Sequence, residues 1–282
     1  MTNERHDSDR PYRPPWRAWR TAFHLRARME LQYRAAAVGG FVTQLFFAMI
    51  LLFLYQALDK AGTRPGQTII PFSQTVTYVW VQQSFFRLLF GSDPGLAQAI
   101  LSGDLAYELC RPVSLYPYWL IRILAQKSIA SLMRAWPLLL VATVLPKPWR
   151  MTWPGDPGQL LAFVVSLSLG MLTVSLLDAL MAGITMRTLD PRGITNVISM
   201  LSLFFSGNLL PLPLFPDSWQ GWLQAMPFSQ SLDGPIRLLT GQTALSGLAG
   251  LLTRQACWIV LLAAGGFLLW HHNLKRLTIQ GG

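Results

Sequence analysis

From Ala35 to Leu58 the chain runs for 24 residues without a charged side chain. As a helix rising 1.5 Å per residue this stretch is about 36 Å long, enough to cross a hydrocarbon core of roughly 30 Å with some tilt. Its apolar residues are bunched rather than periodic, so no polar face is left for water. Composition extends the same conclusion to the rest of the chain. Of the 282 residues 52% are hydrophobic and 13% are charged, and a soluble domain of this size carries about twice that charged fraction. The sequence describes an integral membrane protein.

Six hydrophobic segments are expected, at about 35–58, 71–90, 116–145, 158–184, 194–210 and 251–271. Gln82, Gln83 and Arg87 interrupt the second. The third contains Pro137 and is expected to bend or split there. Pro146 to Pro148 and Pro154 to Pro157 bracket a turn between the third and fourth. The chain then divides into a tail with an amphipathic interfacial helix (1–34), a transmembrane domain (35–273) and a C-terminal tail (274–282). Eight arginines within the first 34 residues, followed by a run too long for a signal-peptide core, argue against a cleaved leader. Cys110 and Cys257 are too few for a disulfide framework and read as ordinary thiols.

Flanking Lys and Arg set the orientation. With the N-terminus inside, the cytoplasmic side holds those eight arginines together with Arg111, Arg187, Arg192, Lys275 and Arg276. The opposite side holds Lys60, Arg64, Lys147, Arg150, Arg237 and Arg254. Both termini are then cytoplasmic, and the net charge of +10 is mostly a topology signal rather than a nucleic-acid footprint. Before the first span, Trp16, Trp19 and Phe23 share one helical face, with Arg17, Arg20 and Arg28 largely on the other. A helix lying in the headgroup layer and a plain positive-inside anchor both fit these residues.

On this topology the stretch "ILSGDLAYELCRPVS" (100–114) is cytoplasmic. Between Leu96 and Leu109, Leu101, Leu105 and Leu109 recur at i, i+4 and i+8, beside an acidic pair, Asp104 and Glu108. Ser102 or Asp104 is placed to cap a short helix, and Pro112 ends it. Membrane-surface helices carry Lys and Arg on their polar face, so an acidic face suits a basic protein partner better than anionic lipid.

The same stretch resembles the sGdia-x-x-L-x-RPv signature of the membrane subunits of ABC-2-type ATP-binding-cassette transporters, in the bacterial subgroup of short six-span permeases. The likeness continues at "FFSGNLLPLPLFPDSWQGWLQAMPFSQSLDGPIRLLTG" (204–241) and at the terminal "LKRLTIQGG" (274–282). It implies an all-α, type II exporter transmembrane fold in the inner membrane. There the segment between spans two and three is a coupling helix seated on an ATPase subunit, with Gly103, Asp104, Leu105, Glu108, Arg111 and Pro112 carrying the contact. The implied partners are separate nucleotide-binding subunits, which hold ATP and Mg, and a second permease subunit, related or identical. No G-x-x-x-x-G-K-[ST] loop occurs in this chain to cradle phosphate, so it is expected to bind no cofactor and to catalyse nothing itself.

After the fifth segment, "LLPLPLFP" cannot continue a helix. Trp219, Trp222, Leu223 and Met226 then give amphipathic spacing up to Pro227. An interfacial loop helix and a re-entrant hairpin both fit. The resemblance favours the hairpin, an outer gate involving Leu209, Pro211, Phe215, Pro216, Trp219, Pro227 and Phe228. Within the spans lie Arg122, Lys127, Arg134 and Asp178, residues that face protein or water when they occur in a membrane. Arg122 and Asp178 are each about six residues from a cytoplasmic end, so an ion pair between spans three and four is expected. Asp178 shares an i±4 ridge with Ser166, Gly170 and Ala182, small enough for close packing. Lys127, Ser131 and Arg134 share a face, open either to an anionic or amphiphilic substrate or to a second subunit.

Two other classes fit these residues less well. A membrane-embedded hydrolase would pair Ser206 with His271 or His272, but these fall at opposite ends of their spans. The separation would be about 25 Å, against the ~3 Å that proton transfer needs. No clustered metal ligands appear; His6 and His24 stand alone in the tail. A secondary transporter is disfavoured by the lack of a detectable inverted repeat.

Overall fold

The computed structural model describes residues 15–61, 71–90, 93–110 and 113–275. All regular structure among them is helical. The helices are α1 (Pro15–Gln32), α2 (Arg34–Lys60), α3 (Phe72–Ser84), α4 (Phe86–Leu89), α5 (Pro94–Ser102), α6 (Leu105–Leu109) and α7 (Leu115–Val144). There follow α8 (Pro157–Thr188), α9 (Pro191–Phe205), α10 (Asp217–Ala225), α11 (Pro227–Ser231), α12 (Asp233–Leu239) and α13 (Leu248–Leu274). Four of the helices, α2, α7, α8 and α13, are long and apolar enough to cross a membrane. Their outward residues, such as Phe46, Leu140, Val164 and Leu268, are exposed as lipid-facing side chains must be.

The tripeptide Asp-Pro-Gly starts two helices in the same way. Asp93 accepts the Gly95 N–H and Asp156 accepts the Gly158 N–H, both at 2.8 Å. In each case proline occupies the first turn, where its missing N–H costs nothing. The helix α8 forms the axis of the molecule, with α13, α12, α7 and α11 packed along it. Its small-residue ridge works as the spacing predicts. Ser166 meets Gln255 of α13, and at Gly170 the Ser231 carbonyl lies so close that a Cβ would collide with it. The indole of Trp270 donates to the Ala179 carbonyl at 2.7 Å and Asn273 to the Gly183 carbonyl at 2.6 Å, fastening the far end of α13 to α8.

Two expectations are corrected. The second segment is not one helix: α3 ends at Phe85, and α4 is a four-residue turn that stops at extended Phe90. The thirteen residues of α3 reach only about 20 Å, and nearly all are buried by protein rather than lipid, which is why glutamines are tolerated there. The third helix does not split at Pro137, which lies inside continuous α7. The helix α1 has protein along one face. It packs along α7 through Ala22, Arg26 and Ala27, leaving Trp16 exposed and Trp19 and Phe23 half-buried.

Candidate functional site

The segment between α4 and α7 is a pair of short helices, not the single helix over 96–109 that the leucine spacing suggested. Gly103 stands between them at φ 79°, ψ 4°, in the left-handed region that glycine enters without penalty. The turn separates the leucine stripe. Leu105 is 1% exposed, whereas Leu101 and Leu109 are 48% and 46% exposed. Leu105 joins Leu96, Ile100, Trp119, Ile123, Ala179 and Trp270 in one apolar cluster, a burial that contributes about 1.5–3 kcal/mol for this side chain. The pair is therefore rooted on α7, α8 and α13, while Leu101, Asp104, Tyr107, Leu109 and Cys110 project outward.

The two carboxylates expected to form one acidic face do different things. Asp104 is exposed, with Ser102 Oγ 2.6 Å from its Oδ2. It precedes α6 without capping it by a side-chain hydrogen bond. Glu108 turns inward and accepts the Trp119 indole N–H at 2.7 Å, tying α6 to the first turns of α7. At the other end Asp93 is buried, and its Oδ1 lies 3.4 Å from Arg26 of α1, whose guanidinium also pairs with Glu30 at 3.2 Å. Burial raises the Glu30 carboxyl above its ordinary range, against the lowering pull of Arg26, Arg87 and Arg134. Arg26, Glu30 and Asp93 were not singled out from sequence. The one legible signal was the Asp-Pro-Gly helix start, which marks Asp93 as a cap but not as an anion for α1. Arg111 and Pro112 lie outside the described residues.

The charges expected within the spans pair differently from the expectation. Asp178 is joined to Lys127, Nζ to Oδ2 at 2.9 Å, with both side chains buried. Arg122 instead lies over the Trp119 ring at 4.1 Å and the Tyr118 ring at 5.6 Å. Matching depth was the wrong criterion. An ammonium is also required at the broken end of the second segment, where Lys127 Nζ donates to the Leu88 carbonyl at 3.0 Å. The neighbouring Arg87 donates to the Phe90 carbonyl. Two cations thus satisfy carbonyls that the end of α4 leaves without helical donors. Arg134 makes no ion pair or hydrogen bond among the described residues; its guanidinium packs on Gly40 of α2, where a Cβ would sit 2.6 Å from Cζ.

The stretch after α9 folds back into protein. Residues 229–239 are buried from Ser229 to Leu239 against α8, α3 and α13. Gln255 donates to the Gln230 carbonyl at 2.8 Å, and Tyr78 of α3 donates to Asp233 at 2.7 Å. Arg237 completes a buried pair with Asp233 at 2.7 Å. Gly207, at φ 80°, lets the backbone pass so close to the Tyr78 hydroxyl that a Cβ would collide with it. The aromatic residues gather at the end of α9: Phe215 stacks on Trp219, and Phe205 contacts Trp222 and Phe228. Pro211 and Phe215 are buried, Pro227 and Phe228 half-buried, and Leu209, Pro216 and Trp219 exposed. The short helix α10 stops before Met226, and Leu223 is its one buried residue.

Four long apolar helices around a protein-filled interior, with a short helical pair exposed at one end, fit an integral membrane protein. Over residues 43–281 the chain matches the model of the ABC-2 family transporter proteins, and it belongs to that family. It is an ABC-2-type permease subunit, the membrane component of a transporter. No curated protein matches the chain.

Proposed function

We propose that this permease subunit lines the path of an ATP-driven exporter and receives force from a separate ATPase through α5 and α6. The observation that carries the reading is the division of labour within this pair. Its inner residues, Leu96, Leu105 and Glu108, lock it to α7, α8 and α13, and its outer residues, Leu101, Asp104, Tyr107 and Leu109, are exposed. A lever needs both properties: a partner pushes the exposed side, and the rooted side moves three spanning helices.

On this reading the chain crosses the inner membrane six times. The broken α3–α4 and the short α9 complete the count begun by the four long helices. The α3 helix is short in reach but is sheathed by protein, which relieves it of matching the lipid thickness, whereas α9 keeps Val197, Met200 and Phe204 exposed as a lipid-facing side. Both termini lie in the cytoplasm. The buried stretch 227–239 re-enters from the outer side, and the aromatic cluster at Phe215, Trp219 and Phe228 forms an outer gate. A second permease subunit closes the path.

The test is co-expression with the ATPase of the same transport system and measurement of complex yield and ATPase stimulation. Asp104→Lys and Tyr107→Ala, both on exposed positions, are expected to lose ATPase association while the protein inserts and unfolds like wild type. Unchanged association for both would refute the docking role.

A further inference from the structure

A cleft of about 160 Å³ opens at the elbow between α1 and α2, lined by Glu30, Tyr33, Ala37, Arg87, Met133 and Arg134. Its depth is set by sequence alone. The charge-free run begins at Ala35, so the elbow lies at the boundary between headgroups and hydrocarbon whichever way the chain is oriented. Two guanidinium groups meet there with no carboxylate within ion-pairing distance among the described residues. Arg87 uses one nitrogen on the Phe90 carbonyl, and Arg134 makes no hydrogen bond or ion pair among the described residues. Glu30, the acid on the lip, is drawn toward Arg26 at 3.2 Å. Asp178, the nearest buried acid on α8, is held by Lys127. The apolar part of the lining, Ala37 and Met133, continues onto α2 and α7, whose outer faces carry exposed apolar residues suited to an acyl chain.

We infer that this cleft binds the phosphate of an anionic phospholipid, with Arg87 and Arg134 as donors and the acyl chains along α2 and α7. Guanidinium groups match phosphate oxygens in geometry and remain charged at this depth. Gly40 is part of the site, because only a residue without a side chain lets the Arg134 head lie flat on α2. The inference stands on the cleft and the elbow's depth, not on the coupling role of α5 and α6.

The test is native mass spectrometry and thermal unfolding of the full chain, alone or with its transport partners, in nanodiscs of phosphatidylglycerol or phosphatidylcholine. Wild type is expected to retain phosphatidylglycerol and to unfold at higher temperature in it. Arg134→Gln should weaken retention roughly 5- to 10-fold, Arg134→Lys less, and Glu30→Gln should strengthen it. Gly40→Ala, which changes no charge, should also weaken it by displacing the guanidinium. No preference of wild type for the anionic lipid, or equal retention by Arg134→Gln, overturns the assignment. An equal stabilisation by inorganic phosphate in phosphatidylcholine nanodiscs overturns the lipid source and leaves a free anion as ligand.

Discussion

Replacing Lys127 by Met removes the one cation that faces both Asp178 and the Leu88 carbonyl. Asp178 is 5% exposed and, among the described residues, has no other cation within ion-pairing distance. Leaving a buried charge without its counter-ion costs about 3–5 kcal/mol. The Leu88 carbonyl, which Lys127 reaches at 3.0 Å, adds about 1–3 kcal/mol when its donor is lost. The two losses overlap, since the freed carboxylate escapes part of its cost by taking up a proton, and about 4 kcal/mol is expected in all. Asp178→Asn should cost less, because Lys127 keeps its bond to Leu88. Combining Lys127→Met with Asp178→Leu removes both charges and should recover most of the loss, the unpaired carbonyl accounting for the remainder. Arg122→Met serves as the comparison. It removes a cation stacked on indole, worth about 0.5–2 kcal/mol. The assay is reversible unfolding in mixed micelles as detergent denaturant is titrated, with Asp178→Leu combined with Lys127→Met in one double-mutant cycle and with Arg122→Met in a second. The pairing is refuted if Lys127→Met unfolds within about 1 kcal/mol of wild type, or if Arg122→Met couples to Asp178 instead.

Other outcomes follow from the same contacts. Gly207→Ala should destabilise by about 1–3 kcal/mol, because it places a Cβ at positive φ against the Tyr78 hydroxyl; thermal unfolding in detergent checks this, and a wild-type midpoint would contradict the contact. Trp119→Phe removes the donor to Glu108 and should loosen α6 by about 1 kcal/mol, seen as faster amide exchange over residues 105–110 with exchange in α13 unchanged. Cys110 and Cys257 are both exposed, but Cys257 lies within the lipid-facing length of α13. A membrane-impermeant maleimide should therefore label Cys110 alone, and only when it is applied from the cytoplasmic side. Labelling of Cys110 from outside would invert the topology.

The parts of the fold legible in sequence are those that a long-range pattern dictates. The four long helices follow from charge-free or nearly charge-free length, and Ser166 and Gly170 announce a packed ridge because small side chains have few other uses in a membrane. What stayed hidden depends on tertiary neighbours. Phe85 gives no local sign that α3 breaks; the break is stabilised by Lys127 and Arg87, and Lys127 lies some 40 positions away from it. The leucine spacing over 101–109 read as one stripe because periodicity takes no account of a left-handed residue, although Gly103 was in plain view. Glu108 looked like a partner-facing acid until Trp119 was placed beside it. Arg26 was one arginine among eight in the N-terminal region, and charge counting for topology gives no means of distinguishing the one that reaches Asp93.

The central claim is that the outward side of α5 and α6 meets an ATPase. Tyr107, 78% exposed at its crest, can be replaced by a photoreactive phenylalanine analogue and irradiated in membranes that contain the whole transport system. The account predicts a covalent adduct with a chain carrying a G-x-x-x-x-G-K-[ST] loop, lost when Asp104 is also changed to Lys. An adduct with lipid alone, or with no ATP-binding chain, would contradict it.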